Sequence, residues 1–286
     1  MAGPARVALV TGASAGIGLH TALGLARAGF HVIMAGRDRA RTEAACRTVA
    51  ERAGSTLTEP AVADFASLAA VRQLAEGVLA THGRLDLLVN NAGLMTPRFQ
   101  LSQDGYELTL AVNHLAPFLL TNLLLDRLRA SAKQGDTGAR IVTVASQSHR
   151  GARLDVAALS DQREGWSPLK AYGRSKLCNI LFTRALARRL RGSLVVTACL
   201  HPGVVATAIG DSAGGVAGFG WRLVKRFLIT PEKGAETSLF LATVADATPF
   251  HGAYLIDRRV ARPDAAALDD ELGELLWSES ARLVGL

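Results

Sequence analysis

The chain has 286 residues, 49% of them hydrophobic and 20% charged, which supplies a sizeable core and excludes a disordered segment. Its formal net charge of +7 comes from scattered basic residues, densest in ALARRLR at 185–191 and without interleaved stacking aromatics, so no nucleic-acid groove is expected. Cys46, Cys178 and Cys199 show no paired spacing, which argues against a disulfide framework or a zinc site and for a reducing, cytoplasmic setting.

The opening MAGPARVALVTG lacks the apolar run and cleavage site of a secretory leader, and no stretch approaches about 18 uninterrupted apolar residues. No transmembrane segment is expected, and any membrane contact would be peripheral. From residue 6 onward, short apolar β-rich runs alternate with Ala- and Leu-rich stretches of helical length. RVALVTG (6–12), HVIMAG (31–36), LDLLVN (85–90), RIVTVAS (140–146) and LVVTACL (194–200) read as strands buried on both faces, with TEPAVAD (58–64) a weaker one. The intervening stretches predict helices near 17–28, 39–53, 67–82 and 101–132. Repeated strand–helix–strand units imply right-handed crossovers and a parallel sheet between two helix layers. The fold class expected over 1–286 is therefore α/β, a single doubly wound Rossmann domain. A connection near 151–170 reads as a substrate-side insertion. The glycine-rich 203–230, followed by WRLVKRFL, reads as a lid-like segment.

TGASAGIG (11–18) falls where the first strand must turn into the first helix. Gly12, Gly16 and Gly18 allow positive φ, a close approach of backbone to ligand and tight helix–strand packing, while the helix amides favour a diphosphate. The spacing is GxxxGxG, so it is neither a GxGxxG fingerprint nor a P-loop. The second strand ends at Gly36, followed by Arg37 and Asp38. An arginine there suits a ribose 2′-phosphate and an acid suits a 2′-hydroxyl, so the residues favour NADP(H) over NAD(H) without closing the question.

Tyr172 and Lys176 lie four positions apart in AYGRSKLCNI, on one face of a helix. By spacing alone they are either neighbours on a solvated surface or a proton-transfer pair. In the second case an ammonium about 4 Å from the phenol contributes on the order of 4 kcal/mol, or about three pKa units, and brings the tyrosine towards neutrality. His114, His149 and His201 lack metal-site spacing and read as packing or capping groups; no metal site is expected. Trp166 and Trp221 are candidates for walls of an apolar pocket, and Met95 for substrate contact or gap-filling.

The TGASAGIG turn, NNAG at 90–93, Asn113 in VNHLAPF, Ser146 in VASQSH, the Tyr172/Lys176 pair and HPG at 201–203 occur in an order that resembles the short-chain dehydrogenase/reductase family over the whole chain. KAYGRSKLCNILFTRALARRL and the ending LWSESARLVGL are similar to the retinol dehydrogenase-like branch, as is the 26-position separation of Ser146 and Tyr172. The resemblance implies a catalytic set of Asn113, Ser146, Tyr172 and Lys176. Ser146 would bond the substrate oxygen, Tyr172 would serve as general acid and base, Lys176 would hold the nicotinamide ribose, and Asn113 would hold a relay water.

It further implies that Gly12, Ser14 and Ile17, with Gly16 and Gly18 of the same turn, line the phosphates, and that Arg37 meets the 2′-phosphate. Asp64 and Phe65 would meet the adenine, and Asn91, Ala92 and Gly93 the adenosine ribose. Pro202, Gly203, Val205 and Thr207 would meet the nicotinamide, with Tyr172 and Lys176 also touching the cofactor. Ala15 departs from the basic residue that many NADP-preferring members carry there, and Ala145 replaces a common second serine. The expected function is NADP(H)-dependent interconversion of an alcohol and an aldehyde or ketone on a moderately large apolar, retinoid-, steroid- or xenobiotic-like substrate, a lipophilic small molecule. A non-catalytic NADP(H) sensor is the rival, and a homo-oligomer through the helices near 101–132 and 168–191 is a further expectation.

Overall fold

The computed structural model describes residues 5–134, 138–160, 163–203 and 229–286. Eight strands form one sheet in the order β3-β2-β1-β4-β5-β6-β7-β8: β1 Val7–Thr11, β2 His31–Gly36, β3 Thr58–Val62, β4 Leu87–Asn90, β5 Ala139–Val144, β6 Val195–His201, β7 Tyr254–Ile256 and β8 Arg259–Val260. All neighbouring pairs are parallel except β7 with β8. The side-chain period of two divides each central strand between two cores. Leu9, Ile33, Leu88 and Ile141 face one helix layer, while Ala8, Val10, Val32, Met34 and Val142 face the other.

The helices are α1 Gly16–Arg27, α2 Arg39–Ala53, α3 Leu68–Thr81, α4 Leu108–Ala132, α5 Pro168–Arg189, α6 Pro231–Thr243 and α7 Asp270–Val284. Capping follows sequence chemistry: Asp38, Ser67, Ser167, Thr230 and Asp269 each accept a first-turn amide, and Gly54 and Gly285 close α2 and α7 in the left-handed conformation. The helix expected from residue 101 begins instead at 108. Leu101 bridges to Glu107, Gly105 takes φ +84°, and both Glu107 carboxylate oxygens receive the amides of Thr109 and Leu110. That buried cap starts α4 and rules out an earlier start. A π turn interrupts α4 at Ala111–Leu115. Although α4 is long and apolar enough to cross a membrane, 78% of its apolar window is buried in the fold, as befits a core helix.

The C-terminal α7 lies on α5 and α4. Trp277 meets Phe118 and Phe182 with ring centroids at 4.9 and 5.8 Å, Arg189 stacks over Trp277 at 4.0 Å, and Arg184, Arg188 and Arg189 pair with Asp270 and Glu274. A homo-oligomer through α4 and α5 would have to use the surface that α7 leaves open. The connection before α5 packs through Trp166, whose ring is edge-on to Phe99 and whose Nε1 donates to Glu107 at 3.3 Å. Of the lid-like segment, residues 204–228, including Trp221, lie outside the described residues.

Candidate active site

The strand order reverses at β1 and β4, and the crevice outside the C-terminal ends of a doubly wound sheet is where such folds gather ligands. Gly12 leaves β1 at φ +65°, and a Cβ there would stand 2.9 Å from Ala92 Cα. A side chain at Gly18 would collide with the Gly12 carbonyl and approach Asn91 Nδ2 to 2.5 Å. The two glycines thus bring the turn, the first coil of α1 and the NNAG run together. Thr11 Oγ1 receives the amides of Asn91 and Ala92, both at 3.0 Å, and Asn91 Nδ2 donates to the Thr11 carbonyl at 2.8 Å. Ala15 gives α1 no side-chain cap, so the first-turn amides of Gly16, Ile17 and Gly18 are free to face an anion. Backbone that is close-packed, glycine-lined and uncapped fits a diphosphate.

At the end of β2, Gly36 abuts Ser14 and Thr42, which leaves Arg37 exposed beside the glycine turn. Asp38 Oδ1 accepts the Arg41 amide at 2.9 Å and so caps α2. After β3, Asp64 accepts from the Ala66 amide at 3.0 Å and from Gln103 Nε2 at 3.3 Å. The Phe65 side chain beside it is buried in the core. Pro202 and Gly203 follow β6, with Gly203 at φ +89° against Ile229; Val205 and Thr207 lie outside the described residues.

Asn113, Ser146, Tyr172 and Lys176 converge next to this crevice. Asn113 sits in the π turn of α4, a kind of irregularity frequent at functional sites. Its Oδ1 accepts the Leu94 amide at 2.8 Å, and its Nδ2 donates to the Leu94 carbonyl at 2.9 Å and to Ser175 Oγ at 3.0 Å. Both amide hydrogens are committed, so a relay water could use only the second lone pair of Oδ1. Ser175 Oγ in turn donates to the Tyr172 carbonyl at 2.8 Å. The position a Cβ would take on exposed Gly93 lies 3.3 Å from Asn113 Oδ1 and 3.6 Å from Lys176 Nζ, which places the NNAG run over the pair.

Ser146, at the end of β5, accepts the Ser148 amide and donates to Ser148 Oγ, both at 3.2 Å. Lys176 Nζ donates to the Val144 carbonyl at 2.9 Å and lies 5.4 Å from the Tyr172 ring centroid. By spacing, the lysine is expected to lower the Tyr172 phenol, and burial acts on that phenol in the opposite direction. Burial pushes its hydroxyl up from the ordinary tyrosine value, opposed by a hydrogen bond to Ser146, and burial pulls Lys176 down to about 8. Each charged form loses hydration on burial, which raises the phenol and lowers the ammonium.

The blander histidine readings hold. His149 Nδ1 lies 2.6 Å from the Ser146 carbonyl and its Nε2 receives the Asp264 amide; His201 Nδ1 receives the Gln147 amide; His114 Nε2 meets Ser280 Oγ at 2.8 Å. Burial holds His114 and His201 near about 4, so both are neutral packing groups. Residues missed by sequence reasoning are the ones that position others: Thr11, Ser175 and Gly173. A Cβ on Gly173 would stand 2.5 Å from the Ser148 carbonyl, so this glycine lets the turn carrying Ser146 lie against the helix carrying Tyr172. Its place between Tyr172 and Ser175 was the available signal.

A family model described as "short chain dehydrogenase" matches residues 6–216, and the chain belongs to that family. Within it the chain is similar to the retinol dehydrogenase branch. It is 39% identical to Retinol dehydrogenase 13 of Homo sapiens, covering 99% of this chain and 86% of that protein. It is 43% identical to Polyprenol dehydrogenase of Mus musculus, covering 99% and 84%. A solved structure of an uncharacterised protein from Mycobacterium Paratuberculosis superimposes with TM-score 0.78 at 33% identity, covering 98% of this chain and 93% of that one. The chain is therefore an oxidoreductase acting on CH–OH or C=O groups with a nicotinamide cofactor.

Proposed function

We propose that the enzyme interconverts an alcohol and an aldehyde or ketone on a moderately large apolar substrate, uses NADP(H), and employs Tyr172 as general acid and base. The observation that carries this reading is the convergence of Asn113 and Lys176 on Gly93 of the NNAG run, with Lys176 Nζ 5.4 Å from the Tyr172 ring centroid. The nicotinamide, when bound, supplies or accepts a hydride. This chain's residues manage the proton and the geometry. Ser146 Oγ bonds the substrate oxygen as charge builds on it. Tyr172 passes its proton to that oxygen in reduction and takes it back in oxidation. Lys176 gives one hydrogen to Val144 and keeps two, enough to hold a ribose hydroxyl and to steady the phenolate. With its affinity for protons lowered to about 8, Lys176 exchanges them with solvent near neutral pH.

NADP(H) is favoured because Arg37 is exposed and, among the described residues, unpaired at the place of a 2′-phosphate, while one carboxylate oxygen of Asp38 is engaged as the α2 cap. The apolar substrate is supported by relatives named for retinol and polyprenol and by the Phe99–Trp166 pair beside the loop that follows Gly93. A cytoplasmic enzyme in peripheral contact with the lipid that dissolves such substrates completes the reading. The test is a panel of apolar aldehydes reduced with NADPH and NADH by the parent and by Arg37→Ala. Losing charge-assisted bonds worth about 1.5–3 kcal/mol should raise KM for NADPH by about tenfold or more. KM for NADH should change by less than about threefold; equal effects on both cofactors contradict the assignment.

A further inference from the structure

At the opposite end of the sheet from the active site, three side chains from separate elements converge on one point. His31 opens β2, Glu59 lies in the edge strand β3, and His82 closes α3. One ligand atom from each lies within 4.8 Å of the other two. Glu59 Oε1 is 2.5 Å from His82 Nε2, and its Oε2 is 3.5 Å from His31 Nε2. The imidazoles meet edge to face with centroids 5.3 Å apart.

We propose that His31, Glu59 and His82 form a binding site for a divalent transition cation of the zinc type, separate from the catalytic centre. Two imidazoles and a carboxylate are the donor set that such cations take with a fourth position left to water. Bonds of about 2.0–2.1 Å in a tetrahedron put neighbouring ligand atoms about 3.3 Å apart, and the three donors already lie within 4.8 Å of one another, so side-chain rotations close the site. A second observation points the same way. His31 Nε2 is buried and, among the described residues, has no hydrogen-bond partner although it is aimed at the carboxylate. The Arg127 guanidinium binds the His82 carbonyl and helps fix the end of α3 beside the carboxylate. One dication satisfies all three groups together.

The fold also fixes the donors in advance. Parallel pairing of β2 with β3 turns His31 and Glu59 to the same face, the face on which α3 packs. Bound metal would clamp the end of α3 to the exposed edge of the sheet, a structural role that leaves hydride transfer untouched.

The test is titration of the tag-free, full-length protein with Zn²⁺ in competition with a chromophoric chelator, together with anomalous scattering from Zn²⁺-soaked crystals. We expect one ion per chain at this point, a Tm that rises with Zn²⁺, and affinity lowered by about tenfold or more in each of His31→Ala, Glu59→Gln and His82→Ala. Circular dichroism checks that each variant folds; should His82→Ala fail to do so, partly exposed His31→Ala decides the matter. Turnover of metal-free His31→Ala should equal that of the parent. Substoichiometric binding, or binding equally tight in folded variants, overturns the site.

Discussion

Lys176 shows how a site can oppose stability at the scale of one residue. It is 3% exposed, and burial lowers its pKa from 10.5 to about 8. The folded value lies below the unfolded one, so the penalty is complete below about pH 8 and vanishes as pH rises past about 10.5. That shift corresponds to about 3 kcal/mol, against about 1 kcal/mol for the bond to Val144. Lys176→Met should therefore be more stable than the parent by about 2 kcal/mol at pH 7 in urea unfolding, with the advantage gone near pH 10.5, while turnover is lost. A stability difference that does not depend on pH contradicts this account. Sequence spacing was sufficient to put Tyr172 and Lys176 on one helix face. It could not give the sign of the tyrosine shift, because that depends on how much of the fold closes over both groups.

At the scale of elements, the site depends on how tightly the Gln147–His149 turn lies on α5. Gly173 permits the contact, since a Cβ would press on the Ser148 carbonyl, which is backbone and cannot rotate away. Alanine improves intrinsic helix propensity by about 1 kcal/mol, but overpacking a fixed contact costs about 1–3 kcal/mol. Gly173→Ala should thus lower stability slightly and, by shifting Ser146 against Tyr172, reduce kcat by about tenfold or more with little change in cofactor affinity. Steady-state kinetics and cofactor titration of the variant check both halves, and an unchanged kcat would contradict the positioning role. Elements whose apolar period is unbroken were legible: β2 and α2 fall where the sequence puts them. The start of α4 was not, because Glu107 supplies a cap that reads as an ordinary surface acid. The pairing of β7 with β8 turns on Asp257 and Arg258 adopting positive φ, which aspartate tolerates but arginine does not advertise.

At the scale of the molecule, the order of motifs along the chain conveyed the fold and the family because the glycine turn, NNAG, Ser146 and HPG each follow the C-terminal end of a different parallel strand, and Asn113 and the Tyr172/Lys176 pair lie on the helices between them. Gly12, Gly36, Asn91, Ser146 and Pro202 are distant in sequence and meet at one edge of the sheet. The packing of α7 on α5 and the junction of His31, Glu59 and His82 carry no such ordered signal. They arise from contacts between segments whose spacing means nothing until the sheet is assembled. The central claim is that this shared edge lets the phenol of Tyr172 exchange a proton with a substrate oxygen. Its most direct test is the turnover of Tyr172→Phe with NADPH and an apolar aldehyde, measured alongside NADPH binding. The account predicts binding within about threefold of the parent and turnover lower by about a hundred- to ten-thousandfold. Turnover within about threefold of the parent, at equal cofactor occupancy, would contradict it.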